Sequence, residues 1–414
     1  MSSLSGIQVL DLSRVLAGPW CAQTLADLGA DVIKVERPGT GDDTRGWGPP
    51  WLEKSPGEDR DSAYFLSANR NKKSVAIDIS SKEGAELVRQ LAARSDVLVE
   101  NFKVGDLQRY GLSYEDLKQV NPALVYCSIT GFGQQGLYAQ RAGYDFLIQG
   151  MGGLMSITGT PDGKPGAGPQ KVGVALTDIL TGMYAATGIL AAVIKSRATG
   201  TGQHIDVSLL DVQIASLANQ AMNYLVGGQA PQRLGNAHPN IVPYQDFRTL
   251  DGYMILAIGN DTQFKRFCQV AGRPEWAEDA RYVTNAARIQ HRTALIDAIA
   301  NVIGEQTTAY WIEVMEAAGV PCGPINTIQD VFADPHVKQR QAQFTISSKN
   351  KGEIPSVANP LKLSESPIEY RMAPPDLGQD SHQVLSDELG MNPDEIEDLV
   401  HRKIVACAAE AYDP

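Results

Sequence analysis

An aspartate that opens an apolar helical run is either a cap or a reacting group, and the stretch Lys171–Ile194, KVGVALTDILTGMYAATGILAAVI, poses that choice at Asp178. After Asp178 the residues are apolar or small for more than three helical turns, which predicts a buried helix with Asp178 in its first turn. The exposed N–H groups of a first turn favour an ionised carboxylate by roughly 0.3–1 kcal/mol. Gly182, Ala185, Ala186, Gly188, Ala191 and Ala192 would let other backbone come close, as a crowded site requires. Spacing alone leaves both the cap and the nucleophile open.

A second set of residues is cationic and recurs at the ends of apolar runs. Arg14 follows the run IQVLDL. Arg37 and Arg45 lie in the loop RPGTGDDTRGWGPP, and Lys72 and Lys73 in NRNKKSVAID. Arg109 comes shortly after DVLVENF, which ends in Glu100, Asn101 and Phe102. A lone surface cation is ordinarily just solvated. Cations returning to equivalent edges of one sheet would instead read phosphates. The glycines of GFGQQG, at 131, 133 and 136, permit close backbone approach, but no GxGxxG fingerprint accompanies them, which leaves a dinucleotide pyrophosphate site unsupported.

The elements that would position these groups read as follows. Ile7 to Leu12 is a strand. A turn with Pro19 at the first helical position leads to a helix that ends at Gly29, and Asp31 to Glu36 is a second strand. Strand, helix and strand in so short a span make a βαβ unit and a parallel sheet, whose ligands bind beyond the carboxyl ends of the strands. The pattern continues with a helix from about Lys82 to Arg94, the strand DVLVENF and the strand Leu124 to Thr130. GQHIDVS is a further strand, and a long helix after it ends at Gly227 and Gly228. Tyr244 to Asn260 has the alternation and the Asp251-Gly252 turn of a β-hairpin, followed by helices to about Gly319. The tail holds a strand-like stretch and two short helices, the second opened by Asn392-Pro393-Asp394-Glu395 as a capping box.

The 414 residues, 43% hydrophobic and 20% charged, suit a globular chain of two domains. A net charge of −12 argues against nucleic-acid and anionic-membrane partners. No apolar run reads as a membrane span, and the five scattered cysteines lack metal spacing, so the expectation is a cytoplasmic protein with reduced thiols and no metal site.

Taken together, DLSRVLAGPWCAQTLADLGADVIKVERPGTGDDTR, NRNKKSVAIDI, DVLVENF with Arg109, SITGFGQQG with RAGYD, VGVALTDILTGMYA and RLGNAHPNIVPYQDF resemble family III (CaiB/BaiF-type) CoA-transferases from end to end. Within the family the likeness is strongest to enzymes of short dicarboxylates, the succinyl-CoA:glutarate type. The resemblance implies an α/β fold. A Rossmann-like large domain with a parallel sheet would be built from residues 1–225 and 331–414, with a small α+β domain at 226–330, in an interlocked-ring homodimer. Segments 200–235 and 325–345 would connect the domains.

The resemblance makes Asp178 the catalytic aspartate, acting through an aspartyl-acyl anhydride and a β-aspartyl-CoA thioester. It implies acyl-CoA and small carboxylic acids as substrates, with no permanently bound cofactor. Val15 and Ala17 match CoA-contacting backbone, with Arg14 and Leu16 beside the thioester, and Arg37 and Arg109 match phosphate-binding arginines. Asn71, Lys72 and Lys73 match the adenine edge, and Asn101 and Phe102 the pantetheine path. Arg45 and His238 are candidates for the acceptor carboxylate, and Tyr144, Gly259 and Asn260 for the reacting oxygens. Where the formyl-CoA:oxalate enzymes have a glycine run, this chain has Gly259-Asn260. The α-methylacyl-CoA racemases share much of the pattern but place a histidine in an AGHD segment where this chain has Ala142-Gly143-Tyr144-Asp145. A CoA-binding subunit without chemistry is the remaining alternative.

Overall fold

Apolar residues that point to both faces of a strand demand cover on both faces, and of the first six strands all but the last, where polar and apolar residues alternate, have that pattern. In the computed structural model, which describes residues 2–52 and 61–408, they are β1 (Gln8–Asp11), β2 (Asp31–Glu36), β3 (Lys72–Ile77), β4 (Val97–Glu100), β5 (Val125–Thr130) and β6 (Gln203–Ser208). They pair in parallel in the order β3-β2-β1-β4-β5-β6. Leu10, Ile33 and Leu98 face one layer, with Val88 and Leu91 of the helix Lys82–Arg94 and Leu385 and Leu399 of the C-terminal helices. Val9, Val32 and Val97 face the other, against Cys21 and Leu25 of the helix Ala17–Asp27 and Ala185 and Ile189 of the helix Leu176–Thr199. The two faces make a doubly wound sheet, with ligand space beyond the carboxyl strand ends.

Two compact units result. The large one takes residues up to Leu154, Lys171–Gln229 and from Lys338 on; the small one takes Met155–Gln170 and Ala230–Val337. Residues 155–170, read from sequence as part of the large domain, therefore belong to the small unit, where Gly235 N–H donates to Gly159 O at 3.2 Å. The small unit has its own antiparallel sheet of β7 (Tyr244–Arg248), β8 (Tyr253–Ala257) and β9 (Cys322–Pro324), with a core of Phe247, Leu256, Phe264, Leu295 and Trp311. In the large unit, β10 (Gln343–Ser348) and β11 (Gly352–Val357) form a hairpin. β12 (Val405–Ala406), a strand not foreseen in the tail, runs antiparallel on β3 and completes the seven-stranded sheet.

Three helical expectations change. The run after β6 is two helices, Leu209–Ser216 and Ala218–Gly227, broken where Ala218 takes φ +46°; much of the expected 200–235 connection is thus ordered β6 and helix. The 325–345 connection likewise holds helices Ile328–Ala333 and Pro335–Gln339. The Asp178 helix, Leu176–Thr199, is buried on one face only: Tyr184 and Ile194 are exposed, Ile194 to 72%. It is also long and apolar enough to cross a membrane, contrary to the sequence reading. Its buried residues sit against the sheet and the helix Ala17–Asp27, as those of a core helix do.

Helix-to-helix distance is set at Gly182, one turn after Asp178. A Cβ there would stand 2.6 Å from the Ala17 carbonyl oxygen and 3.2 Å from the Trp20 Cβ. Gly182→Val is expected to force the helices apart and lower stability by about 1–3 kcal/mol, with a loss of turnover because Asp178 moves relative to the Ala17 loop. Urea melts and kcat check it; an unchanged melting midpoint would sink the close-packing argument.

Candidate active site

The helix that carries Asp178 begins without a side-chain cap of its own, because Ala175 occupies the N-cap position. Its first-turn donors are met from a distant segment. Asp145 Oδ1 accepts from Thr177 N–H at 2.8 Å and from Asp178 N–H at 3.4 Å. Gln149 Nε2 donates to Asp145 Oδ2 at 2.7 Å, and Gln149 Oε1 accepts from Val172 N–H at 2.9 Å, so both ends of the loop leading into the helix are tied down. Asp145 is placed by a close backbone crossing: a Cβ on Gly131 would stand 2.5 Å from the Gly143 Cα.

Electrostatically the site is tuned against ionisation. Burial, then the Asp145 carboxylate, pushes Asp178 up to about 7. Tyr64 is raised to about 12 by burial, then by Asp178, Asp145 and Asp42, so its phenol stays neutral near these carboxyl groups; Trp47 packs edge-on at 5.4 Å. A carboxylate half ionised near neutral pH, less hydrated than in water, is a better nucleophile than an ordinary aspartate.

One turn along, Gly182 packs against Ala17, the first residue of the helix that the Arg14–Leu16 loop leads into. That loop is built, not floppy. Val15 is held at φ +73°, and its N–H is committed to Asp42, at 3.1 Å and 3.3 Å from the two oxygens. Burial would raise Asp42, but the Lys34 ammonium at 3.0 Å and the Thr44 hydrogen bonds hold it down at about 2. Lys34 also donates to Ser13 O at 2.7 Å. Asn101 turns both ends of its amide on Arg14, accepting from the backbone N–H at 3.0 Å and donating to the carbonyl at 2.7 Å. Asn101 thus fixes the loop, while Phe102, whose N–H donates to Glu100 at 2.8 Å, faces the adjoining cleft. Burial pushes that Glu100 carboxyl up to about 7. Leu16 is buried.

The cleft itself, ≈ 830 Å³, opens over the carboxyl ends of β1–β4 and holds Arg14, Arg37, Phe102 and Arg109. Arg14 pairs with Asp43 at 2.9 Å and Arg109 with Asp106 at 2.5 Å. Carboxylates line the cleft too, Glu36, Asp42, Asp43, Asp78 and Asp106; its volume and its arginines suit a phosphorylated organic ligand.

Several expected site residues fall elsewhere. Asn71, Lys72 and Lys73 stand at the amino end of β3, opposite the cleft, because Lys72 is the first residue of the strand. Asn71, at φ +60°, donates to Asp27 and to Glu369 O and accepts from Arg371 and Met372 N–H. Lys72 is fully enclosed and donates to Asp11, Pro19 O and Asn69; burial pushes its ammonium down to about 8 against the pull of Asp11. Lys73 pairs with Asp31 at 3.0 Å. At the cleft end of β3 the residues are Ile77, Asp78, Ile79 and Ser80. Arg45 is no acceptor-binding cation: it makes a two-pronged pair with Glu36, at 2.8 Å on each prong, a third bond to Asp61 at 3.0 Å, and lies over the Phe65 ring.

Tyr144 is 66% exposed and has no capping bond. In the small unit, His238 accepts from Asn240 N–H at its Nδ1 and leans on Tyr244. Gly259 N–H is taken by Gln263 Oε1 at 2.8 Å, and Asn260 caps the helix Asp261–Val270. Sequence reasoning missed Asp145, Gln149 and Tyr64, although the expected YD segment had already singled out Asp145's neighbour. Among the described residues no cluster of metal-binding side chains occurs.

The sequence model described as CoA-transferase family III matches residues 4–381. The succinate–glutarate CoA-transferase of Agrobacterium fabrum is 50% identical over 384 residues, 93% of this chain and 95% of that protein. The human succinyl-CoA:glutarate CoA-transferase is 42% identical over 402 residues, 97% of this chain and 90% of its own length. The crystal structure of a CAIB/BAIF family protein from Brucella suis superposes with a TM-score of 0.82 at 48% identity, covering 94% of this chain and 99% of that one.

Proposed function

This chain belongs to CoA-transferase family III, and from that premise we propose that it moves CoA from succinyl-CoA to glutarate or a near relative, with Asp178 as the nucleophile. The observation that carries the reading is the half-identity, along nearly the whole of both chains, to a relative named for that donor and acceptor pair. Asp178 supports it by its setting: a partly ionised carboxylate at a helix N-terminus, beside a loop whose Arg14 lines the arginine-bearing cleft.

The exchange balances without water or a net proton. An Asp178 oxygen attacks the succinyl thioester carbonyl; the C–S bond breaks, leaving a succinyl-aspartyl anhydride and CoA thiolate. The thiolate attacks the aspartyl carbonyl and expels succinate, forming β-aspartyl-CoA. A glutarate oxygen attacks that thioester and releases the thiolate, which attacks the glutaryl carbonyl and restores the Asp178 carboxylate. Each intermediate is an activated acyl group, so thioester free energy is conserved only while water is excluded. Arg37 and Arg109 take the phosphorylated end of CoA in this reading, and Phe102 borders the pantetheine.

A second copy of this chain covers the apolar faces left open by Tyr184 and Ile194 of the Asp178 helix and by Leu225 and Val226 beyond it, in the interlocked dimer the family resemblance implies. Incubation of the purified protein with succinyl-CoA and a panel of mono- and dicarboxylates, followed by mass spectrometry, is expected to give glutaryl-CoA. Failure of every acid, with deuterium exchange at the α-carbon of a branched acyl-CoA instead, would overturn the transferase reading in favour of proton transfer.

A further inference from the structure

Lys403 sits where a lysine is a poor conformational choice. It follows the helix Pro393–His401 in the left-handed region, φ +59°, with its N–H on Val400 O and the next N–H, of Ile404, on Leu399 O. Such a helix exit favours glycine, whose lack of a Cβ removes the steric penalty. The preceding helix, Ser381–Leu389, ends in that way at Gly390, φ +70°. A strained backbone position kept by a long cation points to work for the side chain.

The surroundings say what work. β12 pairs with β3 so that Val405 stands beside Ile77 and Ala406 beside Ala76, which brings the C-terminal segment to the cleft over the carboxyl strand ends, and Lys403 lines it. Its neighbour Arg402 is occupied with Glu83 and Asp398. Of the cations on the cleft, Arg14, Lys34 and Arg109 have carboxylate partners, and the Asp78 carboxylate accepts from Ser80. Arg37 and Lys403 have no carboxylate partner among the described residues, in a chain whose net charge is −12. Two cations without carboxylate partners that line one cleft can serve an anion there.

We propose that Lys403, supplied by the C-terminal return of the chain, binds a phosphate of the acyl-CoA substrate together with Arg37. The assignment rests on the reading of this cleft as the CoA site. It gives the last described strand a role in substrate binding: β12 joins the sheet at β3, and residues 403 and 405–407 line the cleft.

The test uses the full chain with Lys403→Gly, Lys403→Arg and Arg37→Ala. Lys403→Gly relieves the backbone strain, so its thermal midpoint is expected to rise, which separates loss of binding from loss of fold. Its KM for succinyl-CoA is expected to rise roughly fivefold, as for one charge-assisted contact at a solvent-open rim. The KM for glutarate is expected to move little, the salt dependence of the succinyl-CoA KM to flatten, and Lys403→Arg to recover most of the loss. Succinyl-dephospho-CoA locates the contact: a penalty that disappears with it assigns the 3′-phosphate, and one that persists assigns the pyrophosphate. A KM within twofold of the parent in Lys403→Gly, while Arg37→Ala raises it, overturns the role of Lys403 and leaves the cleft standing. If neither substitution moves the KM for succinyl-CoA, the cleft is not the CoA site and both readings fall.

Discussion

Replacement of Asp178 by alanine or asparagine is expected to abolish CoA transfer, lowering kcat by roughly 10⁴-fold or more as loss of a covalent nucleophile does, while binding of acyl-CoA in the cleft persists. The same carboxyl sets the pH dependence. Burial and Asp145 hold Asp178 at about 7 instead of its ordinary 3.8, so kcat/KM for the parent should fall tenfold per pH unit below 7 as the nucleophile takes up a proton. The shift has a thermodynamic counterpart. A carboxyl whose folded pKa lies above its unfolded one stabilises the fold fully below about 3.8, and that contribution is lost as pH rises through about 7. Asp178→Asn, which cannot ionise, should therefore be more stable than the parent at pH 8, by about 2 kcal/mol after allowance for partial exposure. The gain should vanish near pH 4. Thermal melts of the two proteins across that range decide it: parallel curves would mean that Asp178 is an ordinary, well-hydrated aspartate, and the case for its tuned reactivity would go.

Much of the large unit could be read from local pattern, because its first five strands are short, carry apolar residues on both faces and are punctuated by Pro19 and Gly29. The helix Lys82–Arg94 and the Asp251-Gly252 hairpin carry similar local signals. The misreadings share a physical cause. Lys72 and Arg45 look in sequence like any exposed cation, yet Lys72 is neutralised by Asp11, 61 residues away, and Arg45 by Glu36 and Asp61 from either side. Whether a charge is solvated or buried depends on partners that only the tertiary fold brings together. Asn71–Lys73 lie away from the cleft for a related reason: they adjoin a strand, and which end of a strand they adjoin depends on where pairing begins. The half-exposed Asp178 helix could not be distinguished from a buried one, since its open face is as apolar as its core face. Lys403 did carry a local signal, a non-glycine at the exit of a capped helix, but it acquires meaning only once β12 is known to join β3.

Asp145 is the residue whose loss should be felt most after Asp178 itself. Its carboxylate does two things that pull in opposite directions: it satisfies the first-turn donors at Thr177 and Asp178, and its charge opposes ionisation of the Asp178 carboxyl. Asp145→Ala removes both. Losing a cap that nothing at Ala175 can replace is expected to lower stability by about 1–2 kcal/mol. Misplacing the reacting oxygen should cost roughly 10²-fold in kcat. Removing the like charge should meanwhile shift the acid limb of kcat/KM below 7, since burial, the larger cause, remains. Asp145→Asn separates the two roles. Its carbonyl oxygen still accepts from Thr177 N–H, so the cap is largely kept, although its NH₂ then opposes the Gln149 Nε2 that now donates to Oδ2. It should retain more turnover than the alanine variant and show the same displaced acid limb. An acid limb that stays at 7 in both variants would make burial the sole cause of the Asp178 shift; full turnover in Asp145→Ala would show that the helix start holds its position without this cap. The combination expected here, a slower enzyme that works at lower pH, is one that a purely structural role for Asp145 does not produce.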